Sequence, residues 1–384
     1  MKNNFCESLI NVIKDIYKKD TEISLHSPKF GGNEIDYIKS TIASTFVSTA
    51  GEYVDLFEKK IAEFTNSKFG ISTSSGTSAL HTSLLLSGCD SECEVITQSL
   101  SFVATSNAIL YCKSEPIFID VEIDSLGMSP KSLKSFLSKN CEVRDDGLCW
   151  NKLSNKKIRA CIPMHTYGFP LRIDKIKKIC NDYNIILIED AAESLGTYYK
   201  NKHTGSFGLM GTFSFNGNKI ITTGGGGMIV TNSESLAREA KHITTTSKLK
   251  HKWEFYHDQV GYNYRMPNLN AALGLAQLEQ IDLFLKNKTD IAYKYLDWAK
   301  KNDFHILEPI KDGVANYWIN ILITRTIEEK KLILEETNRI GINTRPAWNL
   351  IHTFPMFKHC QTDDLKNTKW LAKRIINLPS GVNY

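Results

Sequence analysis

The sequence predicts an α/β fold, a largely parallel sheet flanked by helices and followed by a smaller α+β unit. Three observations carry this. From about residue 69 to 232, apolar runs of strand length alternate with helical patterns. Polar or charged residues stand where those runs end: His165, Asp190 and the 216–219 segment. Ligands of open parallel sheets bind beyond the carboxyl ends of the strands, so this clustering marks a site. After "GYNYRMPNLN" (261–270) the alternation stops.

Each element has its own signal. In "MKNNFCESLINVIKDIYKKD", Leu9, Val12, Ile13 and Ile16 follow helical spacing, which predicts an amphipathic helix. Charges run through that segment, and it lacks the apolar core of a signal peptide. "FGIST" (69–73) is a strand and "GTSALHTSLLLSG" (76–88) a helix; "EVITQ" (94–98) and "FVATSNAILYC" (102–112) repeat the pair. "PIFIDV" (116–121) and "IRACIPMH" (158–165) are strands, with a helix around 172–183. "IILIED" (185–190) is a strand ending in two carboxylates, and "TFSFN" and "GMIVTN" complete the set. Crossovers between parallel strands are expected to be right-handed. Residues 269–300 read as one long helix with room for a break. "YWINILIT" (317–324), the helical 327–338 and "GINTRP" (341–346) form the smaller unit. The expected division is an N-terminal helical segment 1–26, a large domain 27–265 and a small domain 266–384 that includes the linking helix.

At 384 residues and 42% hydrophobic the chain can bury a sizeable core, in roughly two or three structural units. The net charge of +5 comes with both signs interspersed, and no basic run suggests a nucleic-acid groove. No apolar run approaches a membrane span. The nine cysteines are scattered without a CxxC pair, and no second pair follows Cys89 and Cys93 at zinc-ribbon spacing. They read as reduced thiols in a cytoplasmic protein without a metal site. His251 and His257 flank an aromatic stretch that reads as surface loop.

Chemistry centres on "FSFNGNKIITTGGGGMIVTN" (213–232), where Lys219 stands alone between an aromatic block and four glycines. A lysine with its ordinary pKa of about 10.4 is a poor nucleophile at neutral pH. A desolvated lysine forms Schiff bases. Lys219 therefore reads either as a covalent anchor for a carbonyl compound or as a surface lysine on a glycine loop. A phosphate-binding GxxxxGK[ST] loop is excluded, because an apolar strand and no lysine follows the glycines. In "STSSGTSAL" (72–80), Gly76 and Thr77 open a helix after a strand, offering an anion site or simply an N-cap. Asp190 suits holding a proton on a pyridine nitrogen, or capping the next helix. Together the three are the parts list for pyridoxal 5′-phosphate (PLP).

The sequence resembles the DegT/DnrJ-type nucleotide-sugar aminotransferases, within the fold type I, aspartate-aminotransferase-like PLP enzymes. The matching segments are "SSGTSAL" (74–80), "EDAAESLG" (189–196), 205–232 and "GYNYRMPNLNAALGLAQLEQID" (261–282). The resemblance implies that Lys219 holds the cofactor as a Schiff base and Asp190 pairs with its ring nitrogen. It implies that Gly76, Thr77 and Ser214 hold the phosphate and that Phe102 stacks on the ring. Asn263 would reach the phosphate in a neighbouring subunit, so the enzyme would be a homodimer with shared sites. Glu193 stands where many relatives carry Gln or His, and is expected only as a cofactor neighbour. A finer resemblance to a LegC-like branch rests on "PKFGGNE" (28–34), "TFVSTAGEYVDLFE" (45–58), "MHTYGFP" (164–170) and "TRPAWNLIHTFPMF" (344–357). It implies amination, with L-glutamate as donor, at C4 of a UDP-linked 4-keto-6-deoxy-N-acetylhexosamine. The product would serve bacterial surface sugars of the legionaminic acid or bacillosamine type, as in lipopolysaccharide biosynthesis. A GDP- or dTDP-linked 4-keto or 3-keto sugar is the alternative substrate. Sugar 3-deoxygenation is disfavoured because its enzymes carry His at the lysine position, and a non-catalytic regulator because the cofactor residues are intact. Arg265 (from the second subunit), Arg345 and His352 are candidate contacts for the nucleotide sugar. His165 and Tyr167 are candidates for the sugar pocket, and Trp348 reads alternatively as core of the small domain.

Overall fold

The computed structural model describes residues 4–384. The chain opens with α1 (Asn4–Tyr17), in which Leu9, Ile13 and Ile16 are buried as their spacing predicts. Next come α2 (Glu34–Ala43) and α3 (Glu52–Thr65). The sequence reading flags neither helix, yet α3 buries Val54, Phe57 and Ile61 on one helical face. The alternation then begins with β1 (Phe69–Thr73), α4 (Gly76–Leu86), β2 (Cys93–Gln98), α5 (Val103–Tyr111), β3 (Glu115–Ile119) and α6 (Pro130–Asn140). Helix α4 starts where Ser75 Oγ accepts the Ser78 amide at 3.0 Å. An unanticipated hairpin, β4 (Cys141–Val143) and β5 (Cys149–Asn151), leads to β6 (Lys157–Ile162), α7 (Ile173–Asp182) and β7 (Ile186–Asp190). Two short strands, β8 (Tyr198–Tyr199) and β9 (Lys202–His203), precede β10 (Met210–Ser214), β11 (Gly227–Thr231) and α8 (Glu234–Thr244).

The main sheet runs in the order β1-β11-β10-β7-β6-β2-β3, with the β4–β5 hairpin attached to β6. Strands β10, β7, β6, β2 and β3 are mutually parallel, and β11 runs antiparallel to both β1 and β10. Because β11 is antiparallel to both β1 and β10, those two run in the same direction as β7, and the exits of β1, β7 and β10 lie at the same edge. Strands β2, β6 and β7 are buried almost throughout, which is why they read as continuous apolar runs rather than alternating ones.

The long-helix pattern resolves into α9 (Asn268–Leu278) and α10 (Ile281–Asn302). Helix α9 packs on α2 and α3, whereas α10 packs on α1. The chain therefore changes partners at the break, where the Gln280 side chain donates to Glu34 at 2.8 Å. Beyond it lie β12 (His305–Ile306), β13 (Gly313–Val314), β14 (Asn320–Ile323), α11 (Ile327–Arg339), β15 (Arg345–Pro346), α12 (Lys366–Ala372) and β16 (Ile375–Leu378). These build an antiparallel sheet in the order β12-β14-β16-β15, and β13 crosses back to pair with β8. The N-terminal helix does not stand apart: Leu9, Ile13 and Ile16 join Tyr295, Leu322, Ile333 and Ile376 in one buried cluster. A second cluster joins Phe57 and Phe213 to Ile321 and Ile375, so the two sheets share a core. All nine cysteines are buried and unpaired. Among the described residues no helix is long and apolar enough to cross a membrane.

Candidate active site

A cavity of about 240 Å³ opens at the sheet edge where β7 and β10 end and α4 begins. Lys219 lies in the turn after β10 with only 13% of its side chain exposed. Its ammonium sits 3.2 Å from Glu193 Oε1 and 4.1 Å from the centre of the Trp318 ring. The Lys219 side chain is thus the desolvated group of the two readings, not a solvated loop lysine. The glycines beside it serve close approach: a Cβ at Gly227 would lie 2.7 Å from the Gly76 nitrogen, so β11 can run directly against the start of α4.

Asp190 closes β7 and is buried. The Thr105 hydroxyl donates to its Oδ2 at 2.6 Å and the Ala192 amide to its Oδ1 at 3.1 Å. Burial pushes this carboxyl up; those two bonds and the charge of Lys219 pull it back. Glu193, on the turn after β7, is buried with it, and burial pushes its carboxyl up to about 7 against the charge of Lys219 and the bond from the Tyr167 amide. That amide reaches Glu193 Oε2 at 2.8 Å because Tyr167 adopts φ +56°, a conformation unusual for a bulky residue.

The anion cradle is the first turn of α4. Gly76 and Thr77 begin the helix, where the geometry of an α-helix leaves their amides without intrahelical partners. Ser214, the last residue of β10, faces them, and a Cβ at Gly76 would come within 2.8 Å of the Ser214 Cβ. Phe102 caps α5 at the rim, half exposed, with its ring 6.3 Å from Trp348. The residues fit PLP by the chemistry of the donor set. A buried carboxylate can hold a ring N–H, a helix N-terminus and a serine can hold a phosphate, and a desolvated lysine can take the aldehyde.

The structure corrects several expectations. His165 does not line the cavity: it is fully buried behind β7, with Nε2 3.0 Å from Glu189 Oε2 and Nδ1 accepting the Leu171 amide. Tyr167 is buried too and lies outside the Lys219 cavity. Its ring stacks on Trp348 at 4.4 Å and lines an adjoining cavity of about 480 Å³ together with Arg345. Trp348 is not simply core, since with Trp318 and Asn218 it forms the wall common to both cavities. His352 is pinned outside them by Ser99 Oγ at 2.7 Å. Arg265 pairs with Asp55 at 3.3 Å, and Asn263 is exposed; neither lines the cavity of its own chain.

Two features escape the sequence reading. Trp318 floors the site, and its indole donates to the Asn218 carbonyl at 2.6 Å, tying the lysine turn to the second sheet. Glu189 accepts the amides of Gly205, Phe207 and Gly208 besides its bond with His165. Burial would raise its carboxyl, yet His165 and the loop amides hold it below its ordinary range. The only sequence signal for Glu189 was its place beside Asp190 at a strand end.

Comparison with known proteins agrees with this geometry. The family described as DegT/DnrJ/EryC1/StrS aminotransferase matches residues 28–384. A GDP-perosamine synthase of Escherichia coli O157:H7 is 37% identical over 366 residues, 93% of each chain. EpsN of Bacillus subtilis, assigned as a pyridoxal phosphate-dependent aminotransferase, is 36% identical over 367 residues, covering 94% of this chain and 92% of that one. Among solved structures, Helicobacter pylori PseC, an aminotransferase involved in the biosynthesis of pseudoaminic acid, superposes with a TM-score of 0.83 at 26% identity over 93% of each chain. The chain belongs to the DegT/DnrJ/EryC1/StrS aminotransferase family, has the fold type I architecture, and is a PLP-dependent aminotransferase of nucleotide sugars.

Proposed function

We propose that this aminotransferase moves an amino group from L-glutamate to C4 of a UDP-linked 4-keto-6-deoxy-N-acetylhexosamine, supplying a bacterial surface sugar. The observation that carries the reaction class is Lys219 itself, held largely away from solvent between Glu193 and Trp318 on the cavity that Asp190 and the α4 N-terminus also line. Bound PLP supplies the electron sink that makes a proton at the reacting carbon removable. Lys219 would take that proton from the substrate carbon as general base and return it to the cofactor's C4′ as general acid. Asp190 keeps a proton on the ring nitrogen, and Gly76, Thr77 and Ser214 hold the phosphate. Phe102 covers the ring from the rim. Asn263, exposed and outside its own cavity, reaches the phosphate of a second subunit in a homodimer.

The adjoining cavity has room for the sugar, and Arg345 on its wall suits a diphosphate. A UDP-linked, N-acetylated sugar is supported by the segments 28–34, 45–58, 164–170 and 344–357. A GDP-linked sugar is the second reading, favoured by the 37% identity to a GDP-perosamine synthase. Purified protein given PLP, L-glutamate and separate UDP-, GDP- and dTDP-linked keto-6-deoxy sugars decides by mass spectrometry. Selective amination of the UDP substrate supports the first reading and of the GDP substrate the second. Lys219→Ala is expected to abolish amination of every substrate; wild-type turnover in that variant would remove the reaction class.

A further inference from the structure

Three residues border both cavities: Asn218, Trp318 and Trp348. The two tryptophans are engaged elsewhere. The Trp318 indole donates to the Asn218 carbonyl at 2.6 Å, and the Trp348 ring stacks on Tyr167 at 4.4 Å. Asn218 is exposed, and among the described residues its side chain meets only the Asn216 amide, at 3.5 Å, the far limit of a hydrogen bond. A carboxamide both donates and accepts, so this one keeps its donor and most of its acceptor capacity free. Its backbone, by contrast, is held. The Lys219 amide donates to the Asn216 carbonyl at 3.0 Å. Trp318, which pins the Asn218 carbonyl, is itself fixed: its amide donates to Asn316 Oδ1 at 2.8 Å, and its carbonyl accepts from Lys288 Nζ at 3.2 Å. None of these ties uses the Lys219 side chain, so they persist whatever that side chain carries.

We propose that Asn218 is a specificity-determining residue whose carboxamide hydrogen-bonds the C3 hydroxyl of the sugar, beside the C4 carbonyl that receives the amine. This rests on the transaminase reading, with the reacting carbon at Lys219 and the body of the sugar in the adjoining cavity. A sugar placed in that way crosses the border between the cavities within a few bonds of its reacting carbon. Asn218 directly precedes Lys219, with Cα atoms about 3.8 Å apart. Its short side chain therefore serves atoms next to the reacting carbon rather than the distant nucleotide. Of the two ring neighbours of C4 in a 6-deoxy sugar, C5 carries a methyl group and C3 the hydroxyl. A hydroxyl donates and accepts, as the free carboxamide does. The tryptophans give the same border an apolar surface that suits the methyl group. A hydrogen bond from a fixed turn sets the rotation of the sugar ring, so that C4 is the carbon presented to the lysine.

The test compares two substrates in the PLP-loaded protein with L-glutamate as donor. One is the UDP-linked 4-keto-6-deoxy-N-acetylhexosamine, or the GDP-linked 4-keto-6-deoxy sugar if the wild type prefers it. The other is the same nucleotide sugar without its C3 hydroxyl. Amination of each is followed by mass spectrometry. The wild type should show a kcat/KM about tenfold lower on the deoxy substrate, the loss of one hydrogen bond. Asn218→Ala should be about tenfold slower than wild type on the hydroxylated sugar and should treat the two substrates alike, within a factor of about two. A merely structural role for Asn218 would slow both substrates together and leave their ratio at the wild-type value. That result would overturn the proposal, and so would a wild type that takes both sugars equally well, a comparison that needs no variant. Release of 2-oxoglutarate from L-glutamate by the wild type, measured without any sugar, reports on the transaminase reading separately. Its absence removes that reading, whereas its presence without a hydroxyl preference removes Asn218 alone.

Discussion

Asp190 illustrates how much of a residue's role is set by its immediate surroundings. Its two oxygens are already held by Thr105 and Ala192, so the carboxylate needs no rearrangement to face a ring nitrogen. Asparagine in its place keeps the shape and loses the charge. Asp190→Asn is expected to fold normally, with an unchanged urea midpoint, and to lower kcat by about 100-fold or more, since a neutral amide cannot hold the ring proton. A kcat within a factor of about two of wild type would remove Asp190 from that role. At this scale the sequence was most legible where function leaves a residue out of character with its neighbours. Lys219 among small residues and Asp190 at the end of an apolar strand are such cases. It misled at His165, because a polar side chain at a strand end looks the same whether it turns into the cavity or back into the core. The burial of His165 against Glu189 is a tertiary fact with no local signal. Trp318 and Trp348 were obscured for a similar reason: a tryptophan in a small apolar unit reads as core, and only the junction of two cavities shows otherwise.

The elements around the site are held by buried polar ties. Glu189 at the end of β7 clamps the 205–208 loop through three amides, and His203 of β9 fastens the preceding turn. The Gly196 amide donates to His203 Nε2 at 2.8 Å, and Nδ1 bonds the Thr204 carbonyl. That arrangement requires a neutral ring, and burial, opposed by the Thr204 carbonyl and Glu189, pulls its pKa down to about 4. An unfolded imidazole takes up a proton near pH 6.5, whereas the folded one stays neutral until about 4. The unfolded state therefore binds more protons in that window, and stability is lost as pH falls through it. Acidification from pH 7 to 5 should cost about 2 kcal/mol from this ring alone. Urea unfolding of His203→Gln at the two pH values should show a decrease smaller by that amount, even though the variant is less stable at both. Equal decreases in the two proteins would mean that the folded ring takes up its proton as readily as the unfolded one. Elements whose apolar residues fall in unbroken strand-length runs, such as β7 and β11, were legible from sequence. The β4–β5 hairpin was not, because three-residue strands are too short to show a period. Helix α3 was legible in principle: Val54, Phe57 and Ile61 carry the spacing.

At the scale of the molecule, the segment 245–263 projects from the fold as a hairpin. Its arms are bridged at Thr245 and Asn263 and again at Lys248 and His257. It carries Trp253, Phe255 and Val260, which are 72%, 79% and 82% exposed. Apolar surface so concentrated is characteristic of a face that another chain covers, and Asn263 stands at its base. In the proposed homodimer each cavity takes its lysine from one subunit and Asn263 from the other. Two defective variants then repair each other. Lys219→Ala spoils the cavity of its own chain, and Asn263→Asp, which sets a negative charge against the phosphate, spoils its partner's. Each variant should be inactive alone. In a hybrid dimer one cavity collects both faults and the other collects none. Random re-assortment of equal amounts should therefore restore about a quarter of wild-type activity, because about half of the dimers are hybrids with one intact site each. If both residues served a single subunit, every cavity in the hybrid would keep one fault and mixing would restore nothing. Refolding the two variants together and measuring amination separates these outcomes, and sedimentation of the same mixture shows whether dimers formed.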